Sequence, residues 1–532
     1  MMQIKDNVKT LRKKIEMRIS RPYLSHIRLC YETEAFGIQQ VIAFVRSSVI
    51  LYIIGVMTLL SATSCMDEEN FSVSKTDLLT FSTDTVKLDT TFSNVPTPTK
   101  SMWVYNRTGK AIRCSDIRLE GGNQEGFRVN VDGTFLSPTT GYQNHDVEIR
   151  KGDSVRVFVE LTSVMQQEDE PQLVQDNLVF TLESGVQQKV NLRAMSWDAE
   201  FLRDVEVKRG ENLVLGAATA SGYQKPIVVY GGITVDSLAT LTIKEGTTLF
   251  FHEDAGIKVY GTLKAVGTVE KPITMRGDRI DHLFDYLPYD RTPGQWQGIR
   301  LMSFSRENEF AFTDIHSAYD AVLVDSCDVT IQKLLVQNST IHNCQGYGVR
   351  VDYAKAQFYN TQISNTLDHC LYVWGGDVEV NNCTIAQFYP FDARRGSAIG
   401  FMAPIDSLKV KNSLVTGYAD DEVVWTPVDD QPLNFSFDHC VLRTEKMDSE
   451  DSLKFTNVIY EDVKDTTMYG EKHFVKMDTD NFVYDFRLSA KSAAIGAADA
   501  TTSLPFDRNG LKREGDKADA GCYLYREEKN EE

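Results

Sequence analysis

One pattern recurs through the second half of the chain: an apolar residue, any residue, a polar anchor, and another apolar residue three positions further on. It fits Val336-x-Asn338 to Ile341, Phe358-x-Asn360 to Ile363, Val380-x-Asn382 to Ile385, Val410-x-Asn412 to Val415 and Phe437-x-His439 to Leu442. The anchors lie 22, 22, 30 and 27 residues apart. A 22-residue unit cannot bury its own apolar face and must stack on copies of itself, with longer units absorbing loops. That makes a solenoid. Its rungs recur every ~4.8 Å. Asn at one rung position lets side-chain amides hydrogen-bond up the stack as a ladder. Asn338, Asn360, Asn382 and Asn412 are therefore structural in this reading, and His439 is the ladder's substituted member.

The repeat also projects side chains. Eleven to fourteen residues after each anchor come Val349–Asp352 and Leu371–Trp374, then Ile399–Met402 once an insertion of six is removed, then Val423–Thr426. Alternation along a strand puts Val349, Val351, Leu371, Val373, Ile399, Phe401, Val423 and Trp425 inside. Arg350, Asp352, Tyr372 and Trp374 then face outward on neighbouring rungs. An exposed Tyr–Trp pair beside charges is what stacking against sugar rings needs. A docking surface for a loop or neighbouring domain is the equal alternative.

The turns before these strands are polar: Asp368-His369, the insertion carrying Arg394-Arg395, and Asp420-Asp421-Glu422. On consecutive coils they should cluster within about 10 Å. Two carboxylates there could hydrolyse a glycosidic bond. Alternatively, carboxylates could hold Ca²⁺ while Arg394, Arg395 or His369 abstracts a sugar proton. Asp368, His369, Arg394, Arg395, Asp420 and Asp421 are thus the candidate catalytic residues, and Ca²⁺ is the one cofactor the pattern admits. Solvated charged turns are the commoner content of such positions.

Upstream, Lys225–Arg279 is nearly all strand and turn, with triplets Ile233-Thr234-Val235, Leu241-Thr242-Ile243 and Ile257-Lys258-Val259 between glycines. This resembles the first coils of right-handed parallel β-helix proteins. Asp485–Asp499, Pro505-Phe506-Asp507, Asn509-Gly510, Arg513 and Asp519-Ala520-Gly521 resemble the closing segment of β-helix proteins related to polysaccharide lyases. There the segment caps the open end. The resemblance implies a pectate-lyase-like fold over about 225–525, though no lyase signature motif matches residue by residue. The loop Asp278–Trp296 interrupts the repeat and should fold over the flank, with Trp296 packing beneath it.

Residues 102–198 alternate with period 2 between turn pairs such as Asp132-Gly133 and Gly152-Asp153, which reads as a β-sandwich. The order of its parts resembles the immunoglobulin-like anchor modules of bacterial surface proteins. Further upstream, Val49–Ala62 is an apolar run of fourteen residues, too short to span a bilayer comfortably, with Arg46 before it and Cys65 after. LSATSC resembles the lipobox of bacterial lipoproteins, which implies lipidation at Cys65. The acidic Met66-Asp67-Glu68-Glu69 resembles the surface-export signal of Bacteroidetes lipoproteins.

The division expected is a signal peptide over 1–64 (with 1–44 an over-extended start), a tether and first strand region over 65–100, an immunoglobulin-like sandwich over 101–205, a right-handed parallel β-helix over 206–484 and a cap over 485–532. The class is all-β. The formal charge of −19 divides between a +5 leader and a body of 47 basic and 71 acidic residues. An acidic body argues against nucleic acid as a partner. Seven cysteines of the body are spaced without any CxxC, so small buried hydrophobes are the expectation and a thiolate zinc site is not. The whole reads as an outer-membrane surface lipoprotein presenting a β-helix for glycan binding or adhesion. The alternatives are a polysaccharide lyase or glycoside hydrolase, and a structural envelope protein without ligand.

Overall fold

The computed structural model describes residues 70–527, apart from 123, 169, 217–224, 448, 449 and 466. The leader and Cys65 lie outside the described residues. The first body is a sandwich of two five-stranded sheets. Ser154–Leu161 shows how it forms: Val155, Val157, Val159 and Leu161 turn inward while the residues between them face out. The sandwich is antiparallel except where Thr85–Phe92 runs parallel to Gln187–Trp197. Thr80–Phe81 and Thr85–Phe92 are strands of this domain, so the strand part of the 65–100 tether and first strand region begins by residue 80.

From Glu200 to Tyr460 the described residues wind as a solenoid of 26 strands. Each coil contributes to three parallel stacks. Stack A holds strands such as Thr313–His316, Thr340–Cys344, Gln362–Thr366, Thr384–Gln387 and Leu414–Gly417. Stack B holds Ile299–Leu301, Val322–Val324, Val349–Asp352, Leu371–Trp374, Ile399–Met402 and Val423–Thr426. Stack C holds Asn308–Ala311, Gln332–Gln337, Ala354–Tyr359, Gly376–Asn381 and Ile405–Lys411. The apolar residues pointing inward from all three form one continuous core. The solenoid thus starts earlier and ends earlier than 206–484.

Asn338, Asn360, Asn382, Asn412 and His439 all stand at the corner between stacks C and A, with φ of 47° to 52°. Asn tolerates this left-handed conformation better than other side chains, which is why it recurs there. The expected amide ladder runs for one step only, Asn360 Nδ2 donating to Asn338 Oδ1 at 3.1 Å. Asn412 Nδ2 also donates to Asn381 Oδ1 on the preceding rung at 2.9 Å, and the remaining bonds of these amides go to the C-terminal tail. Asp499 N–H donates to Asn412 Oδ1 and Leu504 N–H to Asn382 Oδ1, at 2.9 and 2.8 Å. Asn360 Nδ2 donates to Phe506 O at 2.8 Å.

The tail is therefore no end cap. It descends the flank one rung at a time, and its Tyr523 hydroxyl reaches Gln362 Oε1 at 2.7 Å. With the hairpin Phe474–Asp478 and Val483–Leu488 it buries Phe388, Leu414 and Val441 on the outer side of stack A. Lower coils of the same stack meet the sandwich, where Phe92 packs edge-on to Phe250 with centroids 5.0 Å apart. The Asp278–Trp296 loop follows this flank as expected, and Trp296 is buried on Phe251 at 4.3 Å. The hairpin and tail seal the upper coils of stack A, the middle coils leave Asp314 and His342 partly exposed, and the outer face of stack B carries the exposed Trp374.

Candidate functional site

Stack B keeps the register expected from the repeat. Arg350 pairs with Tyr372, and Asp352 with Trp374, across adjacent rungs. Their neighbours Val349, Val351, Leu371 and Val373 are fully buried, so alternation forces these four side chains out. Arg350 Nε donates to both oxygens of Asp352, at 2.9 and 3.1 Å. Its guanidinium also lies 5.5 and 5.7 Å from the ring centres of Tyr347 and Tyr372. Trp374, 38% exposed, meets Tyr353 edge to face at 6.2 Å. Gly375 follows with φ of 82°, and any Cβ there would sit 2.5 Å from the Tyr353 ring. The bend therefore requires glycine to leave room for the second aromatic wall.

Asp352, Tyr353 and Trp374 line a cavity of about 550 Å³ together with Ser303, Asp325, Ser326 and Cys327. A second hollow of about 420 Å³ lies lower on the same stack, around Lys258, Arg300, Tyr319 and Asp320. Burial pushes the Asp320 carboxyl above its ordinary value, and the nearby Asp368 charge adds to this. Tyr347 N–H donates to Asp320 Oδ1 at 2.8 Å. The face thus offers aromatic walls, ion-paired charges and hydrogen-bonding groups along several rungs.

The six candidate catalytic residues do not act as one cluster. His369 joins the aromatic edge, its ring 5.3 Å from Tyr372 and 6.3 Å from Tyr347. Its Nδ1 accepts Ser397 N–H at 3.1 Å, and burial lowers its proton affinity. Arg394 is held by Asp392 at 2.9 Å, and Arg395 donates to the carbonyls of Tyr389 and Asp392. Asp421 accepts the Thr444 hydroxyl at 2.7 Å, while Asp420 is 87% exposed and 3.9 Å from Arg443. Among the described residues no hydrogen bond or ion pair joins Asp368 or His369 to the other four. The charges close their own loops because short-range partners cost less chain entropy than partners a coil away. Asp368, Asp420 and Asp421 also form no group able to share an ion among the described residues.

One cluster escaped the sequence reading. Asp314 and His316 on one rung of stack A, and His342 on the next, bring three ligand atoms within 4.8 Å of one another. Asp290 of the flank loop lies 3.0 Å from His316 Nε2 and is ion-paired with Arg276. Burial opposes charge on Asp314, but the two imidazoles outweigh it and hold the carboxyl well below its usual range. Burial likewise opposes charge on His316, yet Asp314 and Asp290 push it up to about 9. The signal was present: Asp314 and His316 fall two and four residues after position 312, as Thr340 and His342 do after Asn338. Position 312 is Phe, with φ of 47°, so the anchor pattern passed over that rung.

No curated protein matches the chain. Residues 295–417, from Gln295 beside the buried Trp296 to the end of a stack A strand, match the family described as the right handed beta helix region. The solenoid that carries the stack B cavity is a right-handed parallel β-helix.

Proposed function

We propose that the chain is a cell-surface lipoprotein, anchored through lipid on Cys65, whose β-helix binds a polysaccharide along the outer face of stack B. The observation that carries this reading is the open cavity of about 550 Å³ with Trp374 and Tyr353 as walls and Asp325 and Asp352 beside them. Aromatic faces bury the apolar side of a sugar ring, and paired charges bond its hydroxyls. Rungs recur every ~4.8 Å. That rise is close to the length of one pyranose in an extended glycan, so successive sugars meet equivalent positions of successive coils. Tyr372 and Arg350 continue the face one column away.

The lyase or hydrolase reading needs an acid and a base converging on one point, and Arg394, Arg395, Asp420 and Asp421 are engaged elsewhere. Bound glycan is therefore expected to be recovered uncleaved, without ultraviolet-absorbing unsaturated ends or new reducing ends. The test is a polysaccharide array probed with residues 66–532, followed by titration of any hit. Trp374→Ala should weaken binding at least fivefold, about 1 kcal/mol. Failure of the array, or a Trp374→Ala variant binding as tightly as the parent, overturns the proposal.

A further inference from the structure

We propose that Asp314, His316 and His342 form a binding site for one divalent transition-metal ion of zinc-like preference, on the flank of the solenoid opposite in kind to the glycan face. The donor set comes first. Two imidazole nitrogens and one carboxylate oxygen suit a borderline-soft ion, whereas calcium and magnesium take oxygen cages. The fold then fixes the donors. Asp314 and His316 are two residues apart on one strand and so share its outer side, and His342 pairs with His316 across the next rung. The two rings stack at 4.7 Å.

Both rings aim at one place. His316 Nδ1 lies 2.7 Å, and His342 Nε2 3.1 Å, from the same oxygen, Asp314 Oδ1. Around a tetrahedral ion with bonds of 2.0–2.1 Å, ligand atoms stand about 3.3 Å apart. The two imidazole-to-carboxylate distances fall short of that spacing, and all three donor atoms lie within 4.8 Å of one another, so side-chain adjustment alone admits the ion between them. The outer partner is also in place. His316 Nε2 faces Asp290 Oδ1 at 3.0 Å, and a carboxylate on the second nitrogen is the usual support of a ligating histidine. Asp290 belongs to the Asp278–Trp296 loop, so an ion would fasten two rungs and that loop together.

Access is open enough for entry and for a water as fourth ligand. The side chains of His342, Asp314 and Asp290 are 24%, 32% and 47% exposed. Of the other charged groups facing the cluster, Arg276 is already paired with Asp290, and Arg508 donates to Ser339 O.

The test is metal retention by the folded chain. Protein equilibrated with Zn²⁺ and desalted is expected to keep about one equivalent by elemental analysis, and Co²⁺ in its place should give the intense visible bands of four-coordinate cobalt. His342→Gln should lose the retained equivalent, Asp290→Asn should weaken binding about 10–100-fold, and the double change His145→Ala with His252→Ala should leave it intact. Circular dichroism verifies folding of each variant, and the cobalt spectrum of the parent chain needs no variant at all. No retained zinc and no cobalt bands overturn the proposal, as does retention unchanged in folded His342→Gln.

Discussion

Glu422 sits in the acidic run Asp420-Asp421-Glu422, yet it has no exposure to water. Its oxygens accept Ala419 N–H and Ala398 N–H, each at 2.8 Å, in a space that exists because residue 417 is glycine. Burial pushes its carboxyl up to about 8, against the opposing pull of those two donors and of Arg443. The unfolded chain releases this proton near the ordinary value for Glu, about 4.3. Between that pH and about 8 the unfolded state loses a proton that the folded state keeps, so stability falls as pH rises and then levels off. The loss is on the order of 5 kcal/mol. Glu422→Gln should flatten that decline between pH 5 and pH 8.5 in denaturant midpoints, at a smaller fixed cost from an amide facing a backbone N–H. Equal slopes for both proteins would refute the assignment. The sequence showed three neighbouring acids, but which of them faced inward depended on where coil alternation resumed after the turn. Outward positions of stack B were legible because they lie inside strands, where period 2 leaves no choice.

The corner anchors show what a repeat contributes at the scale of the element. A left-handed residue turns the chain from stack C into stack A on every full coil from position 338 onward, and its N–H joins the next rung, as Asn338 N–H does to Tyr359 O at 3.0 Å. Asn382 does both tasks and also accepts Leu504 N–H while fully buried. Asn382→Ala should destabilise by roughly 2–3 kcal/mol, combining a left-handed backbone cost with an orphaned donor. Asn382→Gly should recover the backbone part alone, and chemical denaturation of the pair separates the two contributions. The anchors' position was readable from spacing, and their partners were not. An amide at a corner can bond the rung above or any segment that arrives from outside, and that segment is supplied by residues 87 to 146 positions later.

At the scale of the whole molecule, three similar outer faces are treated differently. Stack A is covered by sandwich, loop, hairpin and tail, and its strands Thr384–Gln387 and Leu414–Gly417 are buried at every residue. Truncation after residue 484 should expose Phe388, Leu414 and Val441, giving a protein that binds a hydrophobic dye or aggregates. A soluble truncated chain without dye binding would show that the tail is dispensable. Five body cysteines buried in the sandwich and solenoid cores, Cys522 buried under the tail and the half-buried Cys327 are all unbridged, in keeping with their reading as small hydrophobes. Strand alternation and the register that aligns Arg350 with Tyr372 and Asp352 with Trp374 were determined by the sequence alone. Each depends on contacts between neighbouring rungs about 22 residues apart, so a local period records them. Only the tertiary structure decided which outer face stays open to a ligand, which acids turn inward, and that Asp314, His316, His342 and Asp290 meet. Those outcomes rest on where the non-repeating segments dock, and docking of distant segments leaves no period in the chain.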